Sequence, residues 1–356
     1  MLVLIARIPN RPHVRTFTWS SAIPDRMLSP SDLDGSHQKG ELSMTTRSRI
    51  IAGVMCFIVG GGLMWAATPA GAQITPRLNV VALGDSTAAG TGAGNYQPGT
   101  EQTCYRSHNS ASTILVKRLK QRGAKVNFVN VTCSGAAIAD LRKTFKGEPP
   151  QLNALRRDTG LVTLTVGGND IDLAAFGNVC LQGDCTGAAT TAILERVPGV
   201  APTLRGLLAK IKQRSPRAQI ILTGYGRAVT DGPNTPDVAL DPICDAGVLT
   251  EEERASGGRV FAALDAALSR AARSAKASGI NVRFVSPYRN STALRPEFAG
   301  HSLCESTTPF YRGFDALAPG QEGPVAVLHL NQQGHAALAQ LILRQTLPTG
   351  IRALKS

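Results

Sequence analysis

The sequence predicts one α/β domain built on a parallel sheet, and three observations carry that expectation. Five short runs rich in Val, Ile, Leu or Thr, bounded by Gly, Pro or Asn, fall at about 79–84, 125–131, 161–166, 218–223 and 281–285. Segments with helical periodicity lie between them. Strands that alternate with helices form a parallel sheet covered on both faces. Finally, the first three runs each stop at a turn of small polar residues: Gly84-Asp85-Ser86, Cys133-Ser134-Gly135 and Gly167-Gly168-Asn169. In such sheets ligands bind at the carboxyl ends of the strands.

Each helix has a local reason. From Ser112 to Arg122, apolar Ile114, Leu115 and Leu119 face away from the basic residues, and Gly123 supplies a stop. A short helix is expected over 136–143. The segment 188–214 is helical, with a break near Pro198 and Pro202 because proline removes a backbone donor. Thr250 and Glu253 make a capping box that opens a helix to Ser278. The last helix runs over 331–345. Two long loops, 91–109 and 226–248, are rich in Gly, Pro, Asn and Asp, and both are expected to border the site. The irregular stretch 286–328 is expected to form one wall of a cleft.

The N-terminal part reads differently. Arg47 and Arg49 follow Met44, an apolar Gly-rich run spans 50–67, and Ala70-Gly71-Ala72 precedes Gln73. Charged start, apolar run and small-residue site are the parts of a secretory signal peptide. A retained membrane anchor is the rival reading, since the run approaches spanning length. Residues 1–43 show neither helical nor strand period, so they are expected to be a non-native or disordered extension, with the true start at Met44. The mature chain would be 73–356, exported or envelope-associated, and without stable membrane insertion.

The chain of 356 residues carries a formal charge of +13 with 5% aromatics. A basic surface suits anionic envelope polymers or lipids. With so few aromatics and no nucleic-acid motif, a nucleic-acid partner is not expected. Apart from Cys56, the cysteines are Cys104, Cys133, Cys180, Cys185, Cys244 and Cys304. An even set in an exported chain reads as disulfides without fixing the partners. A zinc site is disfavoured, because no pair stands at ligand spacing. Gly84 to Gly94 lacks the Gly-Lys-Ser/Thr ending of a phosphate loop. Gly84-Asp85-Ser86-Thr87-Ala88 lacks the second glycine of a nucleophile elbow.

Four blocks follow one another along the chain: Gly84-Asp85-Ser86, Cys133-Ser134-Gly135-Ala136, Gly167-Gly168-Asn169-Asp170, and His329-Leu330-Asn331 with Gly334-His335. In this order they resemble the SGNH hydrolases, also called GDSL esterases and lipases, and specifically the secreted actinobacterial branch. The resemblance spans residues 80–335. It implies a three-layer, flavodoxin-like fold with strand order 2-1-3-4-5. It implies a serine esterase acting on carboxylic esters through an acyl-enzyme on Ser86, with His329 as general base. Ser86 N–H, Gly135 N–H and the Asn169 amide would form the oxyanion hole. Pairings Cys104–Cys133, Cys180–Cys185 and Cys244–Cys304 are implied likewise. No metal or organic cofactor is required, and a monomer is expected.

This chain departs from the family pattern at two positions. Leu330 stands where the family's block has proline, and Ala326 stands where many members place an aspartate that orients the base. The resemblance then implies that the Ala326 backbone carbonyl accepts from His329 Nδ1, with Asp315 or Glu322 as alternative acids. His335 is read as a packing residue, His108 and His301 as loop histidines, and Asp85 and Asp170 as turn anchors. A carbohydrate O-deacylase using the same residues, or a non-catalytic envelope-binding protein on the same fold, are the competing functions.

Overall fold

The computed structural model describes residues 77–235 and 239–346. The segments read above as an extension (1–43) and a signal peptide (44–72) lie outside the described residues.

Five parallel strands form one sheet: β1 Leu78–Gly84, β2 Val126–Asn130, β3 Thr159–Thr165, β4 Gln219–Thr223 and β5 Val282–Val285, in the order β2-β1-β3-β4-β5. The register runs Leu83 beside Leu164 and Leu164 beside Leu222, so the middle of the sheet is aliphatic on both sides. The first connection steps from β1 outward to β2, and the later ones step the other way from β3 to β5. Right-handed crossovers therefore place helices on opposite faces. Helix α2 Ala111–Gln121 packs with α6 Gln332–Thr346, while α4 Ala188–Arg214 packs with α5 Glu251–Ala277. Leu115 and Leu119 on one side, and Leu204, Leu207 and Leu208 on the other, are fully buried. Each such side chain contributes roughly 1.5–3 kcal/mol relative to exposure. The α/β architecture and parallel sheet are as the sequence predicts, and the strand order is the one that the resemblance implies.

Three local expectations need correction. Helix α4 is unbroken although Pro198 and Pro202 lie inside it. The two prolines are four residues apart and both exposed, so they lie together on the outward side of the helix. Val197, Val200 and Leu204 meanwhile bury the opposite side and hold the axis. The helix expected over 136–143 shrinks to a single 3-10 turn at Asp140–Arg142. Its backbone donors are taken by carboxylates: Ala137 N–H donates to Asp140 at 2.9 Å and Ile138 N–H to Asp170 at 3.0 Å. Helix α3 Leu173–Gln182 was not expected; it follows the third strand turn and packs against α4.

Three disulfides tie the loops: Cys104–Cys133, Cys180–Cys185 and Cys244–Cys304. The first joins loop 91–109 to the end of β2. The third joins loop 226–248 to the irregular stretch 286–328. Among the described residues no helix is long and apolar enough to cross a membrane.

Candidate active site

Ser86 sits two residues beyond the end of the inner strand β1, and the turn that presents it tolerates no side chain at its start. Gly84 has φ of 131°, and a Cβ there would stand 2.0 Å from the Thr165 carbonyl oxygen. Asp85 then caps a one-turn helix, α1 Ser86–Ala89, by accepting from Thr87 N–H at 3.0 Å and Ala88 N–H at 3.3 Å. The buried amide of Gln151 clamps Gly84 from both sides: its oxygen accepts from Gly84 N–H at 2.7 Å, and its nitrogen donates to the Gly84 carbonyl at 2.9 Å.

The next two blocks lock onto this turn. Cys133 N–H donates to the Gly84 carbonyl at 3.0 Å. Asn169 Nδ2 donates to the Ala136 carbonyl at 3.0 Å, while Asp170 holds Ile138 N–H. Gly135, with φ of 86°, is thus fixed between the ends of β1 and β3. Among the described residues, neither Ser86 N–H nor Gly135 N–H meets an acceptor, and Asn169 keeps one amide proton uncommitted.

Tyr225 joins the blocks in a way the sequence reading did not anticipate. Its hydroxyl donates to Asp85 Oδ2 and accepts from Gly168 N–H at 2.8 Å. One phenol therefore ties the serine turn to the asparagine turn. It lies directly after β4 between two glycines that make room. A Cβ on Gly226 would collide with the Tyr311 hydroxyl, and one on Gly224 with Asp265. Burial is the main force on Asp85, pushing its carboxyl up to about 7 against the opposing hydrogen bonds from Tyr225, Ala88 and Thr87. Burial also pushes the Tyr225 phenol well above its ordinary value, and the neighbouring Asp85 adds to this.

His329 arrives from the far end of the chain. Its Nε2 lies 2.8 Å from Ser86 Oγ, and its Nδ1 lies 3.3 Å from the Val327 carbonyl oxygen. With the Nδ1 proton donated to that carbonyl, Nε2 is left to accept from the serine hydroxyl. Burial lowers the imidazole pKa, and the bond to Val327 opposes the shift. The expected Ala326 carbonyl is not the partner of Nδ1. It accepts from the His329 backbone N–H at 3.0 Å, closing a turn in which Leu328 adopts φ of 63°. That turn directs the ring to Val327 instead.

No carboxylate bonds to His329 among the described residues. Asp315 and Glu322 are both engaged by Arg312, at 2.6 Å each. Arg312 in turn brackets His329 through its backbone, donating to the His329 carbonyl at 2.8 Å and accepting from Leu328 N–H at 2.8 Å. Glu322 also accepts from Tyr96 Oη at 3.3 Å, and that hydroxyl accepts from Gly92 N–H at 2.9 Å. Asn331 starts α6, accepting from Gly334 N–H at 2.9 Å and donating to the Pro309 carbonyl at 2.7 Å.

The other histidines separate cleanly. His335 is fully buried and accepts from Ala111 N–H at 3.3 Å, so it caps α2; burial pushes it down to about 3. His301 stacks on Phe310 with ring centroids 3.8 Å apart. His108 is an exposed loop residue. Gln151 and Tyr225 are the two positioning residues that sequence reasoning missed. A buried-type Gln after Pro149-Pro150 and a tyrosine between glycines at a strand end were the available signals, and neither names its partner.

Comparison with known proteins agrees with this geometry. The model of the GDSL-like lipase/acylhydrolase family matches residues 82–337. A lipase of Streptomyces rimosus is 31% identical over 270 residues, covering 71% of this chain and 88% of its own. Lipase 2 of Streptomyces coelicolor is 29% identical over 287 residues, covering 77% of this chain and 88% of its own. The crystal structure of an extracellular lipase from S. rimosus superposes with a TM-score of 0.56 at 25% identity, covering 76% of this chain and 100% of that one. A phospholipase A1 from Streptomyces albidoflavus shares the fold with a TM-score of 0.56 at 22% identity, covering 75% of this chain and 99% of that one.

Proposed function

The chain belongs to the GDSL-like lipase/acylhydrolase family and is an ester hydrolase of the SGNH type; on that premise we propose that Ser86 and His329 form its catalytic pair. The observation that carries the reading is the 2.8 Å hydrogen bond from Ser86 Oγ to His329 Nε2 at the carboxyl end of β1.

In this mechanism Ser86 Oγ attacks the ester carbonyl as its proton passes to His329 Nε2. The imidazolium is held by the Val327 carbonyl, which orients the ring but stabilises its charge less than a carboxylate would. The oxyanion is received by Ser86 N–H, Gly135 N–H and the uncommitted Asn169 amide proton. A donor of this kind is worth ~3 kcal/mol of transition-state stabilisation. The tetrahedral centre collapses as His329 returns its proton to the departing alcohol. Water, deprotonated by the same histidine, then releases the carboxylic acid and restores Ser86. The steps need only the groups named.

We also infer that the protein acts outside the cytoplasm. The signal-peptide pattern at 44–72, the three disulfides and its similarity to an extracellular lipase support this.

The test is hydrolysis of p-nitrophenyl esters from acetate to palmitate by 73–356. Activity should vanish in Ser86→Ala and His329→Ala, and the chain-length profile then defines the acyl preference. Full activity in Ser86→Ala would overturn the proposal.

A further inference from the structure

A strongly basic cavity lies at the outer edge of the sheet, apart from the residues the mechanism uses. It has a volume of about 350 Å³ and is lined by α5, by β5 and by the segment that follows β5. That size falls within the range of small-molecule sites, roughly 300–1,000 Å³. Strand β5 is the last in the order β2-β1-β3-β4-β5, so the cavity stands three strand spacings, about 14 Å across the sheet, from β1. Four arginines line it: Arg270 and Arg273 on α5, and Arg289 and Arg295 after β5. Asp265 is the only carboxylate among the lining residues.

The backbone beneath these charges is well held. Arg270 and Arg273 are three residues apart on a 27-residue helix and share one face. After β5 the chain folds back on itself: Arg289 N–H donates to the Ala293 carbonyl at 2.8 Å, and Arg295 N–H to the Pro287 carbonyl at 2.7 Å. Arg295 Nε donates to the Ser286 carbonyl at 3.0 Å, which leaves its terminal nitrogens without an acceptor among the described residues. Among the same residues the Arg273 side chain bonds only the Ser269 hydroxyl, at 2.6 Å, and the Arg270 and Arg289 guanidiniums bond nothing. Asp265 accepts from Ser286 Oγ at 2.5 Å. Burial pushes its carboxyl up to about 6, against that bond and the charge of Arg295. Elsewhere Arg106, Arg227, Arg312 and Arg344 each pair with a carboxylate. None of the four cavity arginines does so among the described residues.

Four cations around one acid leave an excess of positive charge that repels itself until an anion enters. Guanidiniums receive oxyanions through paired, charge-assisted N–H bonds. A carboxylate offers two oxygens, whereas a phosphate monoester offers three terminal ones and can engage several guanidiniums at once. Phe284 and Ala266 add an apolar wall for the body that carries the phosphate. We propose that this cavity binds a phosphate monoester, held by Arg270, Arg273, Arg289 and Arg295 outside the ester-cleaving centre. The site does not depend on the roles of Ser86 or His329.

The experiment measures binding of the protein to two probes. Glycerol 1-phosphate, titrated by calorimetry, is the soluble one. Vesicles of ether-linked phosphatidylcholine, with and without ether-linked phosphatidic acid, present the same group on a lipid and contain no carboxylic ester to cleave. Arg270→Gln/Arg289→Gln should weaken binding of at least one phosphate monoester about tenfold or more. Arg122→Gln/Arg217→Gln removes the same charge from exposed positions outside the cavity and should change binding by less than about twofold. Hydrolysis of p-nitrophenyl butanoate should be unchanged in both double variants, which reports an intact fold. A loss confined to glycerol 1-phosphate assigns the site to a soluble ligand, and a loss confined to phosphatidic acid vesicles assigns it to a lipid headgroup; either supports the site. Binding of neither probe by wild type, or equal weakening in the two double variants, would overturn it.

Discussion

The serine end and the histidine end of the site are built by different means. Ser86 is presented by the sheet. A glycine that no other residue can replace, a capping aspartate, a glutamine clamp and a tyrosine strut all converge on one turn beyond β1. His329 is presented by a loop. It is held by one backbone carbonyl, by Arg312 bracketing it in two main-chain bonds, and by an ion-pair network whose side chains are only 12–13% exposed at Arg312 and Glu322. The difference teaches that the carboxylates of Asp315 and Glu322 are engaged by Arg312 rather than by His329. Instead of bonding the imidazole directly, they hold Arg312, which is hydrogen-bonded to the loop that carries it.

That contrast can be broken at several points. Loss of either reacting group should have the largest effect: Ser86→Ala and His329→Ala should each lower kcat by about ten-thousand-fold or more, measured on p-nitrophenyl butanoate. Tyr225→Phe comes next. It removes the bond between the serine and asparagine turns and leaves Asp85 Oδ2 without its donor, at a cost of about 2 kcal/mol in urea unfolding. Its kcat should fall about 10- to 100-fold with KM little changed. The same substitution leaves the loop end intact, so a large rise in KM would contradict the division.

Asp85 adds a pH signature to the serine end. Its carboxyl is raised from 3.8 to about 7 in the folded protein, so between those values the native state binds more protons than the unfolded one. Stability contributed by the neutral acid is complete below about pH 4 and is lost as pH rises through about 7. The advantage of wild type over Asp85→Asn in urea unfolding should therefore shrink across that window; a constant difference would refute the shift.

On the loop end, Glu322→Gln should reduce kcat about tenfold by loosening Arg312, a smaller loss than an acid directly on His329 would give, since removing such an acid costs about ten-thousand-fold. Because burial depresses the His329 pKa, the acid limb of kcat/KM should fall below pH 6.5. Smallest of all, removing Cys180–Cys185 should leave kcat within about twofold, because that bond closes the short segment after α3 and touches neither end of the site.

Much of this was legible in the sequence because it is local. Strand runs with period and punctuation gave the sheet, and Gly84-Asp85-Ser86 and Gly135 are turn chemistry readable from a few neighbours. The Nδ1 partner was displaced by one residue, from Ala326 to Val327, because the answer depends on the left-handed backbone at Leu328, a conformation that side-chain type does not announce. Tyr225 and Gln151 escaped because they act on residues 140 and 67 positions away. The continuity of α4 escaped because it depends on which face its prolines occupy, and only packing decides that.

The central claim is that Ser86 is activated by His329 without a carboxylate partner. Its most direct test is labelling of 73–356 with a fluorophosphonate, followed by peptide mass mapping of the modified residue, in wild type, His329→Ala and the Asp315→Asn/Glu322→Gln double variant. The account predicts a single adduct on Ser86, fast in wild type, within about tenfold of that rate in the double variant, and lost in His329→Ala. An adduct elsewhere, or labelling abolished in the double variant as fully as in His329→Ala, would contradict it.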